Sequence, residues 1–425
     1  AERVCGQKPA GTEKEGFDAG AFIEEAVYTL RERTGGREAV VYASGGVDST
    51  VAAMLAKMAG VRIKPVHLDM GNGRKNEARH VSWMLSSLLE TDVYVHDRAE
   101  KFIAELHGVD DPEQKRKIFS RLYADTKEEV DGMLGLYDGA ALIQGTIATD
   151  RRETGREAGK GTARDSGTVD TIKTHHNVGA ERHFTGLVVS PLEELTKERV
   201  RMVAREIGIP PEVSERQPFP GPGLFVRFAT GYYIPDTLVA DEVSVIASDE
   251  GYRGYALPRK GVGLKGDERA FEHAAFLSGE RDWEGVRRVA KQMIEDLPIS
   301  RVLYFPHERA FSQMNFWSGG YDLSMENLDR LRDVTDVVER TMDDFGVRAS
   351  QTPVITFGSN AGWINVIRDV QSEDFRTCRP LKKPEEFPWE CYDEIGKRLK
   401  ERLGDEAGLT TFDVSDKPGG TTEWE

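Results

Sequence analysis

Residues 44–50 read SGGVDST and decide the fold, because they join a short apolar run to a helical pattern. The run AVVYA at residues 39–43 predicts a buried strand, and VAAMLAKMAG at residues 51–60 predicts a helix. A loop in this position directs backbone N–H groups and the helix N-terminus at one point, which favours an anion. Its two glycines allow a ligand to approach the backbone closely. The loop therefore predicts a phosphate site.

The side chains of this loop add hydroxyl donors and one carboxylate. Asp48 is suited to hold Mg²⁺ against phosphates. A Walker A lysine is missing, which argues for a loop that holds pyrophosphate rather than for hydrolysis of a γ-phosphate. A plain strand-to-helix turn with an N-cap is the alternative interpretation. The candidate phosphate-binding residues are Ser44, Gly45, Gly46, Val47, Asp48, Ser49 and Thr50.

Strand-like and helix-like segments alternate on both sides of the loop. Apolar residues at helical spacing over residues 22–30 predict a helix that ends near Gly35 and Gly36. Buried runs separated by helices predict an α/β fold, a parallel sheet with helices on both faces. Ligands of such sheets bind at the carboxyl ends of the strands. The further predicted strands lie at residues 63–70, 92–96, 140–145 and 187–192. Between the second and third of these, a long charged region to about Met133 is predicted to be helical.

Two later segments extend the predicted phosphate site. Gly145 and Thr146 follow a strand, and Asp150 is a second acid for Mg²⁺. Residues 147–182 are polar and long, which predicts a mobile lid. Within it, Lys173 is suited to swing onto phosphate, although a solvated polar loop explains this segment equally well by itself.

Composition and charge restrict the class of protein. Among 425 residues, Asp and Glu number 73 and Lys and Arg 57, so the net charge of −16 disfavours nucleic acid and favours a small-molecule enzyme. Cys5, Cys378 and Cys391 are far apart in sequence, which supports neither a disulfide framework nor a cysteine zinc site. A cytoplasmic protein is the expectation. No apolar stretch reaches the length of a membrane helix.

Beyond the turn QPFPGPG at residues 217–223, an α+β pattern occurs twice. Trp283 and Trp389 each open a helix that runs into a strand, which predicts a tandem repeat of about 100 residues. Two unrelated helix–strand pairs would give a similar pattern. The chain end, KPGGTTEWE at residues 417–425, is either a frayed tail or a segment tucked into a site, and sequence leaves both open.

The ordered set of motifs resembles the ATP-pyrophosphatase part of GMP synthetase from about residue 18 to the end. The combination is specific, although most of its members are weak alone. The segments that carry the resemblance are SGGVDST, HLDMGNGRK, DPEQKRKIF, QGTIATD, IKTHHNVG, SPLEELTKERVR, QPFPGPGLFVR, VGLKGDERAF, SEDFRTC and DVSDKPGGTTEWE.

This resemblance implies a fold and a reaction. The fold is a parallel-sheet, Rossmann-like ATP-pyrophosphatase domain of the adenine nucleotide alpha hydrolase-like type, followed by tandem α+β domains as in the long, animal-type enzyme. In the reaction, O2 of xanthosine monophosphate (XMP) attacks the α-phosphate of MgATP, pyrophosphate leaves, and ammonia displaces AMP to give GMP. The expected division is a tail at 1–17, the ATP-pyrophosphatase domain at 18–227, and α+β repeats at 228–318 and 319–425, the last with an XMP-binding C-terminus.

The resemblance also assigns residues to ligands, with ATP and Mg²⁺ as cofactors. It implies catalytic roles for Asp48 and Lys173, Mg²⁺ at Asp48 and Asp150, and ATP contacts at the loop together with Asp69, Gly145 and Thr146. Asn72 and Thr149 depart from the family pattern. The implied XMP-binding residues are Arg116, Gln217, Pro220, Gly221, Arg227, Asp267, Gln351, Lys417, Thr421 and Glu423.

The expected partners follow from what the N-terminal segment lacks. Residues before Ser44 contain Cys5 but no histidine, so a Cys-His-Glu glutaminase cannot be built there. Ammonia is therefore expected from a separate glutamine amidotransferase subunit, with neither nucleic acid nor membrane as partner. The repeat predicts a monomer with an internal pseudo-dimer, or a homodimer. The alternatives are a related amidating enzyme for another nucleotide acceptor and a nucleotide-binding regulatory paralogue.

Overall fold

The computed structural model describes residues 16–135, 139–148, 184, 186–217, 219–265, 268–316, 321–372, 378–381, 385–416, 421, 423 and 424. The predicted tail and lid lie outside these residues, apart from residues 16, 17, 147 and 148. The chain divides into two compact units. The N-terminal unit comprises Ala1–Leu68, Arg79–His96 and Lys127–Arg216. The C-terminal unit comprises Asp69–Ala78, Asp97–Thr126 and Gln217–Glu425.

The first sheet has the strand order β3-β2-β1-β4-β5, in which β1 pairs parallel with β2 and with β4, and β4 pairs parallel with β5. Val40 and Val41 point to opposite faces of β1, and both are buried, so both faces are covered. The predicted α/β fold is thereby confirmed. The elements are α1 (Ala19–Thr34), β1 (Ala39–Tyr42), α2 (Val47–Met58), β2 (Ile63–Asp69), α3 (Glu77–Leu89), β3 (Tyr94–Asp97), α4 (Ala99–Leu106), α5 (Pro112–Met133), β4 (Ala141–Ile143), β5 (Leu187–Val189), α6 (Lys197–Ile207) and α7 (Pro211–Ser214).

Three sequence predictions can be compared directly with these elements. The first helix ends where expected, because Gly35 adopts a φ of 55° and its N–H closes the last turn on the Arg31 carbonyl. The charged helical region before Met133 consists of two helices, α4 and α5, since Gly108 has a φ of 72° between them. The prediction of a strand over residues 187–192 was too long, because β5 ends at Val189 and a turn follows.

The C-terminal unit contains a mixed sheet with the order β6-β7-β8-β13-β10-β9. Turns of 3₁₀ geometry occur at Gly223–Val226, Gln313–Phe316 and Gly404–Ala407. The elements are α8 (Thr237–Asp249), β6 (Arg253–Lys265), β7 (Glu268–Ser278), α9 (Trp283–Asp296), β8 (Ile299–Phe305), α10 (Met325–Asp344), β9 (Val354–Ser359), β10 (Gly362–Ile367), β11 (Val370–Gln371), β12 (Arg379–Pro380), α11 (Trp389–Leu403) and β13 (Leu409–Asp413).

The two halves of this sheet have the same order of elements. In each, a helix precedes an antiparallel strand pair, and a second helix leads to a strand parallel to its neighbour. The halves meet where β8 pairs antiparallel with β13. Trp283 and Trp389, which open α9 and α11, stack with ring centroids 4.4 Å apart. The domain boundaries and the oligomeric state stay predictions.

Within the parts of the chain that the structure describes, no helix combines the length and the apolar character needed to cross a membrane.

Candidate functional site

The SGGVDST loop joins β1 to α2 in the N-terminal unit. The His67 imidazole lies 2.9 Å from the Ala43 carbonyl and fixes the end of β1. Gly45 adopts a φ of 82° and packs so closely against Val81 that a Cβ would collide. Gly46 is the N-cap of α2, and its N–H donates to Ser44 Oγ at 3.3 Å. The loop therefore has a fixed shape, with the open N–H groups of the first helical turn at its end.

The loop hydroxyls are partly used within the loop. Thr50 Oγ1 donates to the Gly46 carbonyl at 2.9 Å and Ser49 Oγ to the same carbonyl at 3.1 Å. The Thr50 side chain is buried, so it stabilises the turn, whereas the sequence predicted a donor to ligand. Ser44 Oγ lies 3.4 Å from Ser49 Oγ at an exposed position, where both can turn towards an anion.

Gly145, at the end of β4, packs directly on this loop. A Cβ at this position would lie 2.7 Å from the Asp48 carbonyl carbon and 2.7 Å from the Ser49 nitrogen. The neighbouring Thr146 is buried, and its hydroxyl donates to Gln144 Oε1 at 3.4 Å. Gly145 is therefore required by close backbone contact, which supports its predicted place beside the loop.

Replacing Gly145 by alanine is expected to displace residues 48 and 49 and to reduce ATP-dependent turnover at least about 10-fold. Overpacking of this kind costs about 1–3 kcal/mol, so the unfolding temperature should also fall. Gly396→Ala is the matched control, because a Cβ there meets nothing within 4 Å. It lies within α11 and is expected to stabilise the protein by about 0.5–1 kcal/mol. Equal activity of the two variants would contradict the packing role of Gly145.

Asp48 is the best-placed reactive group of the loop. Lys197 Nζ donates to its Oδ2 at 2.5 Å. Among the described residues, its Oδ1 is buried and has no hydrogen-bond partner. A buried carboxylate oxygen with spare acceptor capacity fits a cation bound beside phosphate. Asp48 is therefore bound on one side by a lysine and has one oxygen available for a metal ion.

Lys197 was missed by sequence reasoning, although the motif SPLEELTKERVR contains it. It is the first residue of α6, after the N-cap Thr196. A cation at a helix N-terminus is electrostatically unfavourable. A lysine in the first turn of a helix that follows a strand of this sheet therefore predicts a nearby carboxylate or phosphate, and the sequence contained this signal.

Replacing Lys197 by methionine is expected to lower kcat/KM for ATP about 10- to 100-fold, because a charge-assisted hydrogen bond is worth about 1.5–3 kcal/mol. Steady-state kinetics measures the effect. Lys64→Met removes a half-exposed surface pair with Glu38 in the same unit and serves as the control. Wild-type kinetics for Lys197→Met would show that its contact with Asp48 has no role.

Of the remaining residues that were predicted to bind ATP or a metal ion, the structure describes Asp69. Asp69 is the last residue of β2, and its Oδ1 accepts the Gly71 N–H at 3.0 Å, so it shapes the turn after the strand. Lys173, Asp150, Asp267 and Lys417 lie outside the described residues. Their assignments stay predictions.

A second cluster lies in the C-terminal unit and unites three of the predicted XMP residues. Arg227 forms a two-pronged ion pair with Glu423, Nε to Oε2 at 2.9 Å and Nη2 to Oε1 at 2.7 Å. Gln351 Nε2 donates to the same Oε1 at 2.7 Å. All three side chains are buried. A buried, fully oriented carboxylate of this kind is suited to receive N–H or O–H donors of a polar ligand.

The QPFPGPG turn supports this cluster. The Gln217 side chain accepts the Thr352 N–H at 3.0 Å and donates to the Ala349 carbonyl at 3.2 Å, so it holds the backbone on both sides of Gln351. The Arg227 guanidinium carbon lies 4.8 Å from the centre of the Phe219 ring, a cation–π contact. Gln217 thus positions the cluster by fastening the chain next to it.

The turn is also tied to the segment after β2. Asn72 Nδ2 donates to the Gly221 carbonyl at 2.6 Å, and the Asn72 carbonyl accepts the Leu224 N–H at 2.9 Å. Pro220 closes the turn by accepting the Gly223 N–H at 3.0 Å. Asn72, noted only as a departure from the family pattern, therefore has a structural role that sequence reasoning missed.

Arg116, another predicted XMP residue, lies on α5 beside a buried lysine. Its Nη1 pairs with Glu113 Oε2 at 3.0 Å on the same helix. The neighbouring Lys115 donates to the Phe225 and Phe228 carbonyls at 3.2 and 2.9 Å. Lys115 is buried and therefore supports the backbone around Arg227. The role of Arg116 towards XMP stays a prediction.

Curated relatives decide the family. The B subunit of glutamine-hydrolyzing GMP synthase from Methanococcus vannielii is 33% identical over 312 residues, which cover 68% of this chain and 95% of that protein. The same subunit from Methanocaldococcus jannaschii is 34% identical over 313 residues, covering 68% and 96%. The chain belongs to the GMP synthase B-subunit family. The resemblance carried by the motifs is thereby confirmed.

This chain differs in length from its GMP synthase relatives. Since 68% of the chain matches 95% of the first relative, the chain is the longer of the two. The glutamine-hydrolyzing GMP synthase of Natranaerobius thermophilus is 36% identical over 281 residues, which cover 63% of this chain and 52% of that protein. No family model matches the chain. Among solved structures, NMN synthetase from Francisella tularensis aligns over 49% of this chain and 78% of that protein. The TM-score of 0.34 and the identity of 15% are too low to assign a function.

Proposed function

We propose that the chain aminates XMP to GMP, using MgATP and ammonia. The observation that carries this proposal is the match over nearly the whole length of B-subunit relatives of GMP synthase. The fixed loop around Asp48 and the buried cluster around Glu423 supply sites of the chemistry required. In the first step, a bond forms between O2 of XMP and the α-phosphorus of ATP, and pyrophosphate leaves. In the second, ammonia adds at C2, AMP leaves with O2, and a proton is released.

The loop binds ATP and receives the charge of the departing pyrophosphate. Ser44, Ser49 and the N–H groups at the start of α2 donate to phosphate oxygens, and Lys197 adds a positive charge beside them. Because α2 and the loop are already fixed before the ligand binds, little reorganisation accompanies the reaction.

Mg²⁺ fits the free oxygen of Asp48. No group of three or more His, Cys, Asp or Glu side chains in the described part of the chain is arranged for a metal. Mg²⁺ needs no such group, because it binds through one or two carboxylates together with substrate phosphates and water. When bound, it neutralises charge on the β- and γ-phosphates. Asp150 is the second proposed ligand.

XMP binds at the cluster of Arg227, Gln351 and Glu423. The Glu423 carboxylate accepts hydrogen bonds from donors of the nucleotide, and the two hydrogen bonds from Arg227 hold that carboxylate in its orientation. Arg116, Asp267 and Lys417 complete the proposed site, with Arg116 and Lys417 on the phosphate side. A glutamine-hydrolysing partner subunit supplies ammonia.

The proposal is tested by measuring pyrophosphate release from MgATP with XMP, with IMP and without acceptor, each with and without ammonium. We expect release that depends on XMP and on Mg²⁺, with GMP formed only when ammonium is present. Chelation of the metal should abolish both products. Bound XMP that leaves ATP unreacted would contradict the proposal.

A further inference from the structure

The last described residues, Thr421, Glu423 and Trp424, form part of the C-terminal unit's core. The Thr421 N–H donates to the Val262 carbonyl at 3.2 Å, and the Val262 N–H donates to the Trp424 carbonyl at 3.2 Å. The Trp424 ring is buried and packs in an apolar cluster with Leu257. Of the two interpretations that the sequence left open, this part of the chain end is the tucked segment.

Arg301, in the middle of β8, binds this segment through its side chain. Its Nη1 donates to the Thr421 carbonyl at 2.8 Å, and its Nη2 donates to Thr421 Oγ1 at 2.6 Å and to the Glu423 carbonyl at 2.7 Å. The side chain is fully buried. A Cβ at Gly261 would lie 2.8 Å from Arg301 Cγ, so a glycine there makes room for it.

Arg368 and Asp413 complete the arrangement. Arg368 Nε donates to the Thr421 carbonyl at 2.9 Å. Asp413 lies between the two guanidinium groups, 3.1 Å from each, and accepts the Trp424 indole N–H at 2.9 Å. Four groups from β8, β13, the end of β10 and the C-terminus thus share one buried network.

Burying the charged groups of this network costs free energy, because they lose their hydration. Burial alone would raise the pKa of Asp413, but Arg368, Arg301 and hydrogen bonds from Ser415 hold it below its ordinary value on balance. Burial lowers the pKa of Arg301 to about 9, so it is still charged at neutral pH. Apolar residues in such a place often give equal or greater stability.

We propose that Arg301, Arg368 and Asp413 are positioning residues of the nucleotide site: they hold the C-terminal segment so that Glu423 faces Arg227 and Gln351. This proposal rests on the proposed function, because XMP is the ligand proposed to bind at Glu423. The three residues act through the backbone of the segment, with two guanidinium groups bonded to its carbonyls and one carboxylate to its indole.

The test compares Arg301→Met with Arg330→Met. Arg330 is a similarly buried arginine of the same unit, and its described hydrogen bonds to Thr356, Asn365 and the Glu406 and Ala407 carbonyls do not involve residues 421–424. We expect Arg301→Met to raise KM for XMP at least about 10-fold with KM for ATP within about 2-fold of wild type. Arg330→Met should lower the unfolding temperature and leave both KM values within about 2-fold. Arg301→Lys should recover part of the XMP affinity.

Trp424→Phe provides a variant that keeps the aromatic packing and loses only the bond to Asp413. We expect faster removal of C-terminal residues by carboxypeptidase, followed by mass spectrometry, and KM for XMP raised about 3-fold or more. Equal KM changes in Arg301→Met and Arg330→Met, or wild-type KM and carboxypeptidase resistance in Trp424→Phe, would overturn the proposal. A wild-type chain without XMP-dependent pyrophosphate release would instead remove the proposed function.

Discussion

Asp48→Asn is expected to reduce XMP-dependent pyrophosphate release about 10²- to 10³-fold. Asparagine keeps the shape of the side chain and removes the negative charge that binds Lys197 at 2.5 Å and leaves Oδ1 for Mg²⁺. Because the loop is fixed by Gly45, Gly46 and Gly145, the fold should persist. The measurement is kcat for pyrophosphate release at saturating XMP, repeated at increasing Mg²⁺.

The matched control for Asp48→Asn is Glu38→Gln, which removes a half-exposed carboxylate of the same unit. We expect wild-type kinetics from it. The double variant Asp48→Asn with Lys197→Met should lose less than the sum of the two single losses, because the residues form one contacting pair. Activity of Asp48→Asn above about a tenth of wild type would show that the carboxylate is not a metal ligand in the reaction.

Glu423→Gln is expected to raise KM for XMP at least about 30-fold, with KM for ATP within about 2-fold. Glutamine leaves the buried Arg227 without its ionic partner, and truncating one partner of such a pair costs about 2–5 kcal/mol. Gln351 would also face an amide where it now donates to a carboxylate oxygen at 2.7 Å. Initial rates at varied XMP measure the effect.

Asp405→Asn serves as the control for Glu423→Gln, because its carboxylate is exposed and pairs with Lys400 at the surface of the same unit. It should leave KM for XMP unchanged. A parallel unfolding experiment separates loss of binding from loss of fold. Unchanged KM for XMP in a folded Glu423→Gln variant would show that the nucleotide does not contact this cluster.

The N-terminal unit was the more predictable part of the fold. Its central strands are short apolar runs, and the loop at residues 44–50 indicates which end of the sheet binds ligand. Continuous apolar runs carry this information for β1 and β4, because consecutive residues of these strands are buried on both faces of the sheet. The length of β5 was wrong because a turn follows Val189 within an otherwise apolar stretch.

The C-terminal unit was less predictable because its contacts join distant parts of the chain. The pairing of β8 with β13 follows from no local pattern. Glu423 meets Arg227 and Gln351 across 196 and 72 residues, and only the family resemblance placed them in one site. Arg301 in the strand ISRVLYF would ordinarily be taken for a solvent-facing residue, yet every residue of that strand is buried.

The contact between Lys197 and Asp48 could not be predicted from the sequence either. It joins a loop after β1 to a helix after β5, and the sequence holds no spacing rule that links them. The chemical signal was present, since a lysine at a helix N-terminus calls for a negative partner. Such a signal indicates that a partner exists without saying which one.

The central claim, that XMP O2 attacks the α-phosphorus of ATP, is tested most directly with XMP carrying ¹⁸O at C2. The reaction should be run with MgATP and ammonium, and the products analysed by mass spectrometry. The account predicts one ¹⁸O in the AMP phosphate, unlabelled pyrophosphate and GMP without the label. Unlabelled AMP, or label in pyrophosphate, would contradict it.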